Sequence, residues 1–521
     1  MISRQTITAR FNHGDYLTSQ PNPPRYGNAT PPGTGDASLQ VDPVTVPDAV
    51  LEQLRAASAA VHTDRDTVVL RTRDWWAGTM IGETAGRPAT PNAVIVEVDS
   101  AEQVGSVLRI CRDNRIPVTP SAGRSNVTGA ALPVHGGVVL DVTRLNKIVG
   151  FDPESMIVDV EAGMFGDAFE TELQEKYGVT TGHWPSAFAI STVGGWVACR
   201  GAGQLSTRYG KIEDMVVGLD VVLADGRQVH LQDYPRAATG PDLRQLFIGS
   251  EGTLGVITRV RLRVHRLPEY ATAIAFGFDT FDAGLDACRE ILQRGATPAA
   301  LRLYDRTESG NHFAHPDTNL LLIADEGDPR IVDAMLAVSE EVCTAAGAAR
   351  LDDAKVFEDW LDDRMRLGKS AAGFTQGPGF VADTLEIAAP WAALSAIYDD
   401  VVASVEAVSG TLRVSAHQSH AYTDGACIYF SLRGDVEVAR RREWYRAAWD
   451  AANAALIRHD AALSHHHGCG LLRGPYLQES LGGAFEVFAG VKQLLDPDGI
   501  LNPSKLGLPS PFGASPLEDR A

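Results

Sequence analysis

Ile116-Pro-Val-Thr-Pro-Ser-Ala-Gly-Arg-Ser-Asn-Val-Thr-Gly-Ala130 carries the reading of this chain. The β-branched start, Ile116 to Thr119, predicts a strand that ends in residues of little side-chain bulk. Small residues let consecutive backbone N–H groups curl round an anion, so this turn reads as a cradle for a diphosphate. Working outward, Ala93-Val-Ile-Val-Glu-Val predicts the preceding strand, and Ser100 with Glu102 opens a helix through Cys111. Val138-Val-Leu-Asp-Val and Met156-Ile-Val-Asp-Val-Glu-Ala predict further strands, an alternating α/β texture. Before these, Val50 to Ala60 has helical spacing and Asp66-Thr-Val-Val-Leu-Arg-Thr reads as a short strand. Residues 17–48, rich in Pro, Gly, Thr and Asn, read as an extended arm.

From Glu269 to His467 the pattern changes. Strand Ala273–Phe278, helix Asp282–Arg294, strands Ala300–Tyr304 and Leu320–Ala324 and helix Arg330–Ala346 form one round. Strand Val381–Ile387, helix Trp391–Val408, strands Thr411–Ala416 and Ala426–Leu432 and helix Val436–Ile457 form a second. Two such rounds predict a separate domain, an antiparallel sheet with helices on one face. Tyr445, Trp449, Ala452 and Leu456 fall on one stripe of the last helix and read as core packing.

With 521 residues the chain is long enough for several domains, and its hydrophobic and charged fractions, 44% and 21%, are those of a soluble globular protein. The 66 acidic and 46 basic residues leave a net charge of −20, which repels nucleic-acid backbones and anionic lipid. No apolar run reaches the ~18 residues of a membrane span, and Met1-Ile-Ser-Arg-Gln-Thr6 lacks the apolar core of a signal peptide. The six cysteines (Cys111, Cys199, Cys288, Cys343, Cys427 and Cys469) form no CxxC pair, which points to a reducing cytoplasm. Partners are then limited to a small-molecule substrate, with a homodimer left open. Gly368-Lys-Ser resembles the end of a P-loop, but Asp363 stands where its first glycine belongs. In Ser464-His-His-His-Gly, strand alternation would put His465 and His467 on one face and His466 on the other, so no metal is expected there. Nothing marks Cys469 as an activated nucleophile.

Several further pieces occur together and in order. They are Glu161-Ala-Gly-Met, Thr181-Gly-His, Ser191-Thr-Val-Gly-Gly-Trp, Tyr209-Gly-Lys-Ile-Glu-Asp, Gly249-Ser-Glu-Gly-Thr-Leu-Gly-Val-Ile, Gly425-Ala-Cys-Ile-Tyr-Phe and the histidine run. With these the chain, from about 70 to 508, resembles the FAD-linked oxidase superfamily of the vanillyl-alcohol-oxidase/p-cresol-methylhydroxylase type. Within it the resemblance is to the alkyldihydroxyacetonephosphate synthases. The tail, Asp496-Pro-Asp-Gly-Ile-Leu-Asn-Pro-Ser-Lys-Leu, is more similar to flavin-dependent D-lactate and glycolate dehydrogenases.

The resemblance implies an α+β fold: a two-subdomain FAD-binding domain over 86–267, a ferredoxin-like cap over 268–467, a lead-in over 1–85 and a C-terminal return over 468–521. It implies that Pro120, Ser121, Ala122, Gly123, Arg124, Ser125, Asn126, Thr128 and Gly129 hold the FAD diphosphate. Pro185, Ser186, Ser191, Thr192 and Gly195, then Cys199, Arg200, Gly201 and Gly203, close around the cofactor. Glu251, Gly252, Val256 and Ile257 join them, with Asn502 and Lys505 from the tail. Covalent members often carry a histidine just before the loop serine; Arg124 precedes Ser125 here, so FAD is expected without a covalent link.

For catalysis the resemblance implies Tyr429, His465, His466, His467, His183 and Arg302. A phenol titrates near ~10, so Tyr429 needs a cationic neighbour to act as a base, and Arg302 is the expected one. Strand alternation puts Tyr429 on the face of Cys427 and Ser431, with Ile428 and Phe430 in the core. One departure is a synthase arginine that binds substrate phosphate. Ser370-Ala-Ala-Gly-Phe stands at that position, with Arg366 and Lys369 as substitutes in a loop remade with Gly373, Gly377 and Gly379. The leading expectation is therefore an FAD-dependent oxidoreductase that transfers hydride from a small hydroxy or amino substrate to flavin N5. The alternative is a redox-silent transferase that exchanges an acyl for an alkyl group through a flavin N5 adduct.

Overall fold

The three larger of four sheets meet around a cavity in the computed structural model of the chain, which describes residues 38–364 and 377–517. The first sheet, β1 (Ala60–His62), β2 (Val94–Glu97), β3 (Val118–Ser121) and β4 (Val138–Asp141), runs in the order β1-β2-β4-β3. Strands β2, β4 and β3 are parallel and buried throughout or nearly so, as the Val/Ile/Leu content of β2 and β4 requires. The helix Ala101–Asp113 covers it, its N-cap Ser100 accepting from the Gln103 N–H.

The second sheet is antiparallel, β5 (Ile148–Asp152), β6 (Ile157–Glu161), β7 (Val216–Val222), β8 (Gln228–Leu231) and β9 (Val256–Arg263), in the order β5-β6-β9-β7-β8. The third, also antiparallel, holds β10 (Tyr270–Phe278), β11 (Ala300–Tyr304), β12 (Asn319–Gly327), β13 (Ala349–Arg350), β14 (Phe380–Pro390), β15 (Thr411–Ala421) and β16 (Gly425–Asp435). Its order is β13-β10-β12-β11-β15-β16-β14. Helices Phe281–Gln293, Pro329–Ala345, Trp391–Glu406 and Arg441–Arg458 bury their apolar stripes on one face of this sheet. The one-face expectation is incomplete. Helices Arg306–Phe313 and Ala354–Asp363 pack on the other face, where Ala271, Ala275, Leu320 and Leu322 need cover.

Residues 65–71 form a helix and not the expected strand. Asp64 caps it by accepting from the Thr67 N–H, and Val68 packs on Ile95 and Val139, so a cap and a burial site override β-branched preference. Residues 38–47 lie against the body, with a bridge between Val44 and Gly136, while the rest of the expected arm falls outside the described residues. The stretch 368–376 of the remade loop, with Lys369 and Gly373, and Arg366 before it, also falls outside them. The tail returns to the first sheet: the Val118 N–H donates to Ile500 and the Asn502 N–H to Val118.

Candidate active site

The turn after β3 forms the floor of the cavity, about 690 Å³, and Pro120 to Asn126 line it. Among the described residues no protein acceptor takes the backbone N–H of Ala122, Gly123 or Ser125, and the buried Ser121 hydroxyl has no partner. These donors are what a diphosphate requires. Gly123 admits the close approach, since a Cβ there would stand 2.3 Å from the Ile190 carbonyl oxygen. Arg124 is buried with φ 55° and spends its guanidinium on the Ala122 carbonyl (2.9 Å) and Asp141 (3.4 Å). Asn126 folds the turn by accepting from the Thr128 and Ala130 N–H groups, and its amide donates to the His467 carbonyl at 3.0 Å.

Pro185, Ser186, Ser191, Thr192, Gly195, Cys199, Gly201, Glu251, Gly252, Val256 and Ile257 also line the cavity, as expected of residues round a cofactor. Six expected residues do not line it. Thr128 and Gly129 brace the turn beside Leu471. Arg200 caps a helix and reaches outward to Gln245. Gly203 gives close packing on Trp184. Asn502 ties the Ala130 and Glu251 carbonyls together, and Lys505 donates to the Leu132 carbonyl. Burial holds Lys505 down to about 7 and Glu251 up to about 7.

Sheet register builds the wall opposite. Tyr304 on β11, His417 on β15, Tyr429 on β16 and Glu386 on β14 are successive register partners, so their side chains share one face. Ser415, Ser431 and Thr384 form the parallel row beside them. His417 stacks between Tyr304 (5.2 Å) and Tyr429 (5.0 Å). Ile428 and Phe430 point into the core, as alternation predicts. Arg302, Tyr429, His466 and His467 all line the cavity.

His183 does not line it. Its ring lies against Trp196 at 4.8 Å, fully buried, with no hydrogen-bond partner on either nitrogen among the described residues, and burial holds it neutral at about 3. The expected alliance of Arg302 with Tyr429 is also absent. Arg302 donates to the Tyr304 hydroxyl (2.9 Å) and the Ser419 carbonyl (3.4 Å) and makes no ion pair among the described residues. The Tyr429 hydroxyl donates to Thr384 Oγ1 at 2.9 Å, and burial together with nearby Glu386 and Asp383 raises its pKa beyond the usual phenol range. Its proton stays in place at neutral pH.

The histidine run is an irregular turn, so the alternation argument fails. Nδ1 of His465 and of His466 lie 3.0 Å apart, and His420 from β15 brings a third ring, all within 4.8 Å. Hydrogen bonds occupy this group: His465 Nε2 meets the Tyr422 hydroxyl (3.0 Å) and His420 Nδ1 the Ser206 hydroxyl (2.8 Å). Burial and the Lys211 ammonium keep His465 and His466 well below the usual imidazole range. The turn is shaped by Glu386, which the sequence reading passed over. Its Oε1 accepts from the Ser464 hydroxyl (2.6 Å) and from the His465, His466 and His467 N–H groups (3.2, 2.9 and 2.6 Å). Its Oε2 pairs with Arg473, and both side chains are fully buried. An acid between apolar Leu385 and Ile387 was the available signal. Cys469 is inert, its thiol pushed up to about 12 by burial, and all six cysteines are free.

Residues 91–232 match the family described as FAD binding domain, and residues 267–506 match FAD linked oxidases, C-terminal domain. The chain is 31% identical over 473 residues to the uncharacterized FAD-linked oxidoreductase YgcU of Escherichia coli O157:H7, covering 87% of this chain and 97% of the relative. The protein belongs to the FAD-linked oxidase family. As a family member it is an FAD-dependent flavoenzyme, and the unpartnered donors after β3 fit that cofactor. It is also 28% identical over 448 residues to alkyldihydroxyacetonephosphate synthase of Dictyostelium discoideum (79% of this chain, 73% of the relative). With D-lactate dehydrogenase of Anaerostipes hadrus it shares 28% over 435 residues (79% and 89%). The α+β fold is that of p-cresol methylhydroxylase with substrate bound, at TM-score 0.74 and 18% identity over 91% of this chain and 99% of that one. Among the described residues no helix is long and apolar enough to cross a membrane.

Proposed function

We propose that this FAD-linked oxidase oxidises a small 2-hydroxy acid to the 2-oxo acid, with non-covalently held FAD taking the hydride from the carbon that bears the hydroxyl. The observation that carries this reading is Arg302, a cavity-lining guanidinium with no carboxylate partner among the described residues. A half-buried cation that lines a cavity and is left for a ligand selects an anion, and its fork matches a carboxylate. Similarity to a D-lactate dehydrogenase supports the same class. The polar rows beside it, His417, Tyr429, Ser431 and Thr384, offer hydrogen bonds to the hydroxyl and carboxylate oxygens. Tyr429 keeps its proton, so it orients the substrate as a donor. The hydroxyl proton passes to a neutral imidazole of the run, which burial keeps uncharged and so free to accept it.

The transferase reading draws on similarity to the synthase and on the cavity-lining Tyr429, His466 and His467. Anaerobic mixing with D-lactate, glycolate and longer 2-hydroxy acids separates the two. Bleaching of the visible flavin bands, reversed by an added electron acceptor, is the expected result. Unchanged bands with every acid, together with exchange of an acyl for an alkyl group on dihydroxyacetone phosphate, would overturn it.

A further inference from the structure

We propose that Glu386 is a positioning residue that fixes His467 as its Nδ1–H tautomer and so turns the Nε2 lone pair toward the cavity, making His467 the base of the run. Three consecutive N–H groups converging on one oxygen make an anion nest, and here the chain's own carboxylate fills it. The Ser464 hydroxyl adds a fourth donor and in turn accepts from the Gly468 N–H at 3.0 Å. Without the carboxylate these donors would repel one another, so the shape of the turn depends on it.

The same carboxylate faces the ring. Its Oε2 lies 3.6 Å from His467 Nδ1, a contact of charge rather than a hydrogen bond, and Nδ1 is buried with no other acceptor. Catalytic hydrogen bonds are often this loose before substrate enters. Against burial, which would raise it, the Arg473 cation holds Glu386 ionised, so it can only accept. An Nδ1 lone pair facing it is repelled and an Nδ1–H is attracted, which selects the tautomer. The ring also meets the His466 ring at 4.5 Å, the Tyr429 ring at 5.5 Å and the Arg473 cation, and none of these accepts from Nδ1. His467 lines the cavity with a side chain 16% exposed, and Nδ1, unlike Nε2, is among the sealed atoms without a partner, so Nε2 is the nitrogen left for the cavity. Arg473 in turn is held over the Trp449 ring at 5.2 Å, which fixes the distance of the pair from the core.

The inference deepens the oxidoreductase reading, which needs a proton acceptor, yet the tautomer exists without substrate. The test is long-range 1H–15N correlation at neutral pH on the FAD-loaded full chain labelled with [15N]histidine, with His467 assigned by its loss in His467→Gln. The expected wild-type pattern is a protonated Nδ1 and a bare Nε2. Glu386→Gln, which presents no charge, should give a mixed or Nε2–H population, and Glu386→Asp should keep the wild-type pattern. If the Gln variant fails to fold because Arg473 is stranded, Glu386→Gln/Arg473→Gln removes both charges and is read the same way. An Nε2–H tautomer in the wild type, or an unchanged Nδ1–H tautomer in the Gln variants, overturns the proposal. A flavin that no 2-hydroxy acid bleaches refutes the oxidoreductase reading and leaves the tautomer result to stand by itself.

Discussion

Gly123→Ala should weaken FAD binding by opening the cradle from inside. The added Cβ would sit 2.3 Å from the Ile190 carbonyl oxygen and 3.1 Å from Ser191 Cα, while ordinary contact begins at 3.4 Å. The turn after β3 and the segment 190–191 must therefore part by about 1 Å. Both are backbone, so no flexible side chain can give way. Overpacking of this size costs about 1–3 kcal/mol. Gly123, Ile190 and Ser191 all line the cavity, so the strain falls on the surface proposed to meet the cofactor. If it appears wholly in binding, the FAD dissociation constant rises about 5- to 150-fold. Apoprotein titrated with FAD, followed by quenching of flavin fluorescence, measures it. Gly150→Ala is the control, because a Cβ on that strand meets nothing closer than 3.9 Å. Wild-type FAD affinity in Gly123→Ala, with the control behaving likewise, would refute the close approach.

Acid precipitation should release all flavin into the supernatant, since buried Arg124 offers no nucleophile to the ring; colour retained in the pellet would show a covalent link. Arg302→Met should leave melting unchanged and lower kcat/KM for the 2-hydroxy acid about 10- to 150-fold through KM, the loss expected for a charge-assisted hydrogen bond. Dialysis against EDTA should not alter flavin reduction, because hydrogen bonds already engage His420, His465 and His466; a loss restored by a divalent cation would place a metal there. Asp383, ordinarily near 3.8, is pushed up to about 6 by burial. A carboxyl raised in the folded state carries no penalty below about 4 and a growing one as pH climbs through about 6, reaching ~3 kcal/mol. Denaturant unfolding should therefore show the stability of the wild type relative to Asp383→Asn falling by about that amount between pH 4 and 7. A difference constant with pH would show that Asp383 ionises freely.

Periodicity and turn chemistry made most of the fold legible. The alternating texture around Ala93–Ala162 and the two rounds after Glu269 correspond to strands and helices within a few residues of their expected ends. The failure at residues 65–71 is instructive: Thr67-Val-Val favours a strand locally, but Asp64 and the site between Ile95 and Val139 are tertiary facts. The cavity-lining turn after β3 was legible because its small residues lie next to one another in sequence. The polar wall opposite was legible only in part. Tyr304, His417, Tyr429 and Glu386 are 12 to 113 residues apart from their register partners, and register is written in no single segment.

Glu386 shows what kind of information the sequence withholds. A carboxylate and a guanidinium, both fully buried, carry a desolvation penalty that their attraction roughly offsets, so the pair is a weak source of stability. Its value must lie in geometry. Apolar residues of similar volume would fill the same space, but they would leave three convergent N–H groups of the histidine run without an acceptor. The run would then adopt another shape, and the two rings that line the cavity would turn elsewhere. Three adjacent histidines therefore form a site only because an acid 79 residues upstream of the first collects their backbone. Arg473, placed beyond the run, keeps that acid ionised.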